Sequence, residues 1–324
     1  MGYDVPELYR TLVDELLVQP EADQEPYYAA SGRLRGFSEA IGNDAGEANV
    51  CIQRLLSSGS GEAMDALAEH WDTVMHQDVR SVSTAAAHTS AAMTVIADHI
   101  AAAELQIVQV AAECALSTAA ELVGGALVFG AADAVVTANV TQAQQSARAV
   151  LSGHVKAITS ALSGLVRDPD VAALEGIAAA LAGGIGGGSG GRESGAGAGT
   201  GGGTGRAWGR SVPEGGRAVG TGIKVDHAEH ERAARRLREV ATLVFGTTSG
   251  TLAAAAADHA TAASGGSLAA EIARTLSPVL DDLSRATTAF GDHLNGALPD
   301  GVLRISGDQG TTDHGNARRM AQLD

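Results

Sequence analysis

From Glu62 to Val123 the chain runs without a single glycine or proline. Those two residues are the ones that most readily end a helix, glycine through backbone entropy and proline through its missing donor. The stretch is instead rich in Ala, Leu, Val, Met and Glu, and its apolar residues fall at helical spacing. Met64, Leu67, Trp71, Val74 and Met75 come first, and Met93, Ile96, Ile100, Ile107, Val110 and Cys114 follow. Unbroken, such a helix reaches about 90 Å at ~1.5 Å per residue. The Ser/Thr-rich positions Ser81 to Thr84, or Thr89 and Ser90, are where a bend is expected. A rod of this kind satisfies its backbone internally but not its apolar stripe, which must lie along other helices.

Composition supports helix-on-helix layers. Hydrophobic residues make up 45% of the 324 residues but aromatics only 3%. The core must therefore be Ala, Leu, Val and Ile, and alanine also has the best helix propensity. Lys and Arg number 22 against 38 Asp and Glu, a formal charge of −16. That balance opposes nucleic acid, whose phosphates call for clustered cations. The start, Met1-Gly2-Tyr3-Asp4, has neither the basic nor the apolar segment of a cleaved signal. The most apolar run, Leu122 to Ala132, is bounded by Glu121 and Asp133. It is too short to cross a bilayer, so no integral membrane segment is expected. Cys51 and Cys114 form no Cys-x-x-Cys pair. They are expected as two buried thiols, with a bridge between two helices as the alternative.

The reading is all-α: long antiparallel hairpins in two modules joined by a glycine-rich flexible linker. Residues 1–182 form the first module. Within it a capped helix begins at Asp4 and ends at Pro20, a second runs from Tyr28 to Leu56, and a loop holds Gly59 and Gly61. After the long rod, Gly124, Gly125 and Gly130 make a turn. A helix from Ala131 to Val166 and a short one from Val171 to Leu181 complete the module. Residues 183–222 are low-complexity glycine repeats and read as a disordered linker. Residues 223–298 form a second hairpin. It opens with a capping box at Asp226 and Glu229, is weakened at Gly246 and Gly250, turns at Gly265 and Gly266, and is kinked at Pro278. Residues 299–324 read as a polar flexible tail.

This plan of helix, glycine turn and Ala-rich returning helix resembles the WXG family of type VII secretion proteins. The comparable stretch is Gly59-Ser60-Gly61-Glu62-Ala63-Met64-Asp65-Ala66-Leu67-Ala68-Glu69-His70-Trp71. Gly61 matches the motif glycine, Gly59 stands where the motif tryptophan would be, and Trp71 matches a later aromatic. The Ala-rich continuation from Ala85 to Val166 is similar to the N-terminal delivery modules of actinobacterial polymorphic toxins. The family's export signal, Tyr-x-x-x-Asp/Glu behind a hairpin, is missing from the C-terminal part, since all four tyrosines lie in the first 28 residues. The resemblance implies a non-enzymatic secretion-associated protein, or the delivery part of a secreted toxin. It would be made in the cytoplasm, exported without a cleaved signal peptide, and would work by associating with a small helical-hairpin partner or with itself. A coiled-coil scaffold is the alternative, with a helical enzyme far behind.

No catalytic cluster, cofactor site or metal site is expected. His227 and His230, at i and i+3, share a helix face, but no third ligand accompanies them. His70, His76, His88 and His99 lie along the rod without constant spacing and read as polar-face residues. No Gly-x-Ser-x-Gly elbow sits between a strand and a helix. Trp71, with Leu67, Met64 and Val74, is the expected anchor of a helix–helix interface, more readily within the chain than toward a partner.

Overall fold

The computed structural model describes residues 22–124, 132–183 and 226–308. The expected first helix, the glycine-rich linker and the last part of the tail lie outside these residues. Everything described is helix joined by short turns, with no strand among the described residues, so the all-α class holds.

Helix α1 covers Gln24–Ser58. Tyr27, Leu34, Phe37, Ile41, Ala45, Ala48, Ile52 and Leu55 are buried along it, one stripe at three- and four-residue steps. A turn leads into one continuous rod made of α2 (Glu62–Thr73), a π-turn π1 (Val74–Val79) and α3 (Arg80–Gly124). Its irregularity sits at Val74–Val79, ahead of the Ser/Thr-rich positions where a bend was expected. Ser81, Ser83 and Ser90 from those positions bond other helices instead. In one place Ser38 Oγ donates to the Ser83 carbonyl at 2.9 Å and Ser83 Oγ donates to the Ser38 carbonyl at 3.1 Å. In another, Ser31 and Ser90 exchange the same pair of bonds at 2.9 and 2.8 Å. Short hydroxyl side chains let two backbones approach closely while keeping every polar group bonded.

Then follow α4 (Ala132–Val166), α5 (Pro169–Gly183), α6 (His227–Leu243), a second π-turn π2 (Val244–Thr248), α7 (Ser249–Ala263), α8 (Ser267–Asp292) and a third π-turn π3 (His293–Ala297). The π2 turn includes Gly246, one of the two glycines expected to weaken this helix. Helix α8 passes through Pro278. Beyond π3 the helix continues as α9, residues 298–308, with Leu298, Val302 and Ile305 buried. The polar tail expected from residue 299 therefore begins as ordered helix, because those apolar residues recur at helical spacing past Pro299.

The chain divides into two compact units. The first takes residues up to Arg35, Ala87–Asp168 and Ala254–Leu280, and the second takes Gly36–Ala86, Pro169–Ala253 and Asp281 onward. The division does not follow the glycine-rich segment, because each unit draws helices from both sides of it. In the first unit Tyr27, Met93, Ile96, Ile100, Ile272 and Leu276 are buried. In the second unit Phe37, Leu67, Trp71, Leu237, Leu283 and Phe290 are buried.

Among the described residues, three helical stretches hold an 18-residue window apolar enough, by length and composition, to cross a bilayer: Glu62–Glu121, Val136–Val166 and His227–Ala263. Of those windows 39%, 17% and 33% are buried within the protein. In the third stretch residues 240–257 carry no Asp, Glu, Lys or Arg, but Thr, Ser and Gly are interspersed among the apolar residues, so no continuous apolar run marks it in the sequence.

Candidate functional site

The glycine turn places the first set of expected residues. Gly61 has φ 128°, a conformation that L side chains rarely adopt, and its carbonyl accepts from Met64 N and Asp65 N at 2.9 and 3.0 Å. Gly59 lies in the same connection between α1 and α2. Met64, Leu67, Trp71 and Val74 then follow one face of the rod, each at most 3% exposed. Trp71 Nε1 donates to Asn49 Oδ1 on α1 at 2.9 Å. The indole is thus an anchor between two helices of the same chain. In the first unit the second turn is built on Gly266, with φ 124°, and on Gly265. A Cβ on Gly265 would lie 3.3 Å from the Cα of Ala22 and from the Ala262 carbonyl oxygen, so the turn is closed tightly by backbone.

Histidines meet where the sequence showed only scattered residues. In the second unit His70 Nε2 lies 3.1 Å from His293 Nε2. His293 is 1% exposed, and its Nδ1 has no hydrogen-bond partner among the described residues. Burial pushes the His293 imidazole down to about 4, with the neighbouring His70 adding to the shift, and burial also lowers His70. Both rings sit close to irregular backbone. His293 opens π3, and His70 lies four residues before π1. In the first unit His99 Nδ1 lies 3.1 Å from His154 Nδ1, joining α3 to α4, with both rings half-buried. The partners are 223 and 55 positions apart in the chain, so no local spacing could have revealed either pair.

His227 and His230 do not converge. His227 Nδ1 lies 2.5 Å from Ser306 Oγ, whereas His230 Nδ1 is 2.8 Å from the Asp226 carbonyl oxygen and its Nε2 is buried without a partner. Among the described residues no carboxylate is bonded to His227, so this Ser–His contact lacks the third member of a hydrolytic triad. Asp226 does cap α6, accepting from Glu229 N at 3.1 Å. The Glu229 carboxylate does not close the expected box. It pairs instead with Arg54 at 2.6 Å and with Arg232.

Those ion pairs line a groove of about 420 Å³ between α1 and α6 in the second unit. Arg236 bonds Glu47 at 2.7 Å and Glu239 at 2.8 Å across it, so most of its cations are already matched by acids. Cys51 faces this groove and carries a free thiol. Its Sγ is 3.5 Å from the Ala233 carbonyl, and burial, with Glu229 nearby, pushes the thiol up to about 11. That is the opposite of an activated nucleophile. Cys114 is also a free thiol, and both cysteines are half-buried where buried ones were expected.

The outward face of α4 is different in kind. Between Asp133 and Asp168 there is no acid, and Arg148 and Lys156 are the charges before Arg167. Ser146, Ala149, Gly153, Ser160 and Gly164 are all exposed. Their spacing puts them on one face, opposite buried Ala147, Ile158 and Leu165. A Cβ on Gly153 or Gly164 would meet no atom within 4 Å.

No protein-family model, curated protein or solved structure matches the chain.

Proposed function

We propose that this protein is a non-catalytic, type VII secretion-associated protein, or the delivery module of a secreted toxin, that works by laying a partner helix along its own helices. The observation that carries the reading is the outward face of α4, small-sided and free of acids in a chain of charge −16. Small residues let a second helix backbone come close, and an acid-free face flanked by Lys156 suits a partner helix that bears carboxylates. The helix–glycine turn–helix plan around Gly59 and Gly61 supports the family reading. The test is co-expression with a small helical-hairpin protein encoded beside it, followed by size measurement of the purified product. A stable one-to-one complex, or a dimer of the chain alone, is expected. A lone monomer under both conditions overturns the reading.

A second reading rests on the same helix. An 18-residue window within Val136–Val166 is apolar enough for a bilayer yet only 17% buried, which favours membrane association. Flotation with anionic vesicles separates the two: binding to lipid without a protein partner selects the membrane.

A further inference from the structure

The two histidine pairs look alike, at 3.1 Å each and with rings tilted 58° to one another, yet they differ in what surrounds their outer nitrogens. A cation held by two imidazoles requires both coordinating nitrogens to be bare, so each ring carries its proton on the other nitrogen. In the His70–His293 pair that would leave His293 Nδ1–H buried with no acceptor. The arrangement costs least when His293 Nε2–H donates to His70 Nε2 and Nδ1 stays bare. That pair is a neutral hydrogen bond.

The His99–His154 pair has the complementary property. Its facing atoms are the Nδ1 nitrogens, and both rings are half-exposed, so each Nε2–H can be met by water. With metal–nitrogen bonds of about 2.0–2.1 Å, nitrogens this far apart subtend roughly 100° at a shared cation, close to a tetrahedral angle. The pair also joins two different helices, so a cation there would fasten α3 to α4. Binding sites within helix packings are commonly built from facing side chains in this way.

We propose that His99 and His154 form a two-imidazole site for a borderline divalent transition cation such as Zn²⁺ or Ni²⁺, with water completing the coordination, and that the cation clips α3 to α4. Imidazole suits these metals, whereas the oxygen-seeking Mg²⁺ and Ca²⁺ are excluded by the same donors.

The test is isothermal titration calorimetry of the untagged full chain with Zn²⁺ at neutral pH, with circular dichroism confirming that each variant is folded. The wild type is expected to take up one cation with micromolar affinity. Its thermal midpoint should rise by about a few degrees at saturating metal, because the cation binds only the folded state. His154→Gln and His99→Gln are each expected to weaken binding by about tenfold or more, as loss of one of two protein ligands requires. His70→Gln and His88→Gln are expected to leave the affinity unchanged. His88 is included because it is an imidazole of the first unit paired with a carboxylate, Asp168, at 2.7 Å. A wild type that binds no Zn²⁺ overturns the proposal. So do His99→Gln and His154→Gln proteins that bind as tightly as the wild type. If one of the two variants fails to fold, the other decides.

Discussion

Arg238 Nε donates to the carbonyl oxygen of Asn295 at 3.3 Å, and Asn295 is the residue four positions before Pro299. In a regular helix that carbonyl would accept from the amide of residue 299, and proline has none. The chain passes the proline by widening to π3, where Leu298 N reaches back to the His293 carbonyl, and an arginine from α6 donates to the carbonyl that the proline deprives of its usual i+4 amide. Arg238→Met should therefore lower stability by about 1 kcal/mol. In a Pro299→Ala background the restored amide can serve Asn295, and the same substitution should cost much less. The Arg238–Asp300 pair, with side chains 43% and 60% exposed, adds little to this difference. A four-variant urea denaturation cycle measures the coupling, and purely additive effects would show that Arg238 and Pro299 are unrelated.

Stability should fall in mild acid through His293. Its pKa is lowered from 6.5 to about 4, so the unfolded chain binds the proton more readily than the folded one. The stabilisation is complete above about pH 6.5 and is lost as pH falls toward 4, on the order of 2–3 kcal/mol across that window. Asp78, in π1, works in the opposite direction. Burial raises its carboxyl from 3.8 to about 6, so its charge costs stability at neutral pH and the cost is relieved as pH drops. His293→Gln should flatten the acid slope of the unfolding midpoint. Asp78→Asn should raise the midpoint at pH 7 and leave it nearly unchanged at pH 4.

Gly153→Ala and Gly164→Ala should each stabilise the isolated protein by about 0.5–1 kcal/mol, because an added methyl meets no atom and glycine is costly inside a helix. Gly153→Leu should remain folded but lose the proposed partner, since a bulky side chain holds a second helix away. Thermal unfolding and co-purification of the same variants separate the two effects.

Trp71→Phe should cost about 1–3 kcal/mol, since Asn49 Oδ1 loses its donor in a part-buried setting. Trp71→Ala should cost about 3–5 kcal/mol through the cavity it leaves. Chemical denaturation followed by far-ultraviolet circular dichroism is the measurement. A loss below half a kcal/mol for both would mean that the indole is not a packing anchor.

The helices were legible because their signals are local. The rod from Glu62, the stripe on α1 and the Asp226 cap are all written within a few residues of where they act. The π-turns were not legible. The π2 and π3 turns hold Gly246 and Gly296, and π3 precedes Pro299, but π1 consists of Val74, Met75, His76, Gln77, Asp78 and Val79, an ordinary helical segment by composition with neither glycine nor proline. The histidine pairs stayed hidden for a different reason. His70 reads as polar-face because its partner sits on a helix more than two hundred residues later. The continuation past Pro299 was missed because a proline after a glycine-containing segment is the usual mark of a helix end, and Arg238, which makes it tolerable, lies on α6.

The way the compact units are assembled bears on any attempt to divide the protein. A protease nick between residues 184 and 225 would leave two fragments, neither holding a whole unit. The upstream piece would keep Arg33 and Glu47 but lose Asp258 and Arg236, to which they are bonded. Each fragment would present naked apolar ridges that only the other can cover. The two should therefore travel as one particle through gel filtration after cleavage and reassociate when mixed, and an upstream fragment expressed by itself should precipitate.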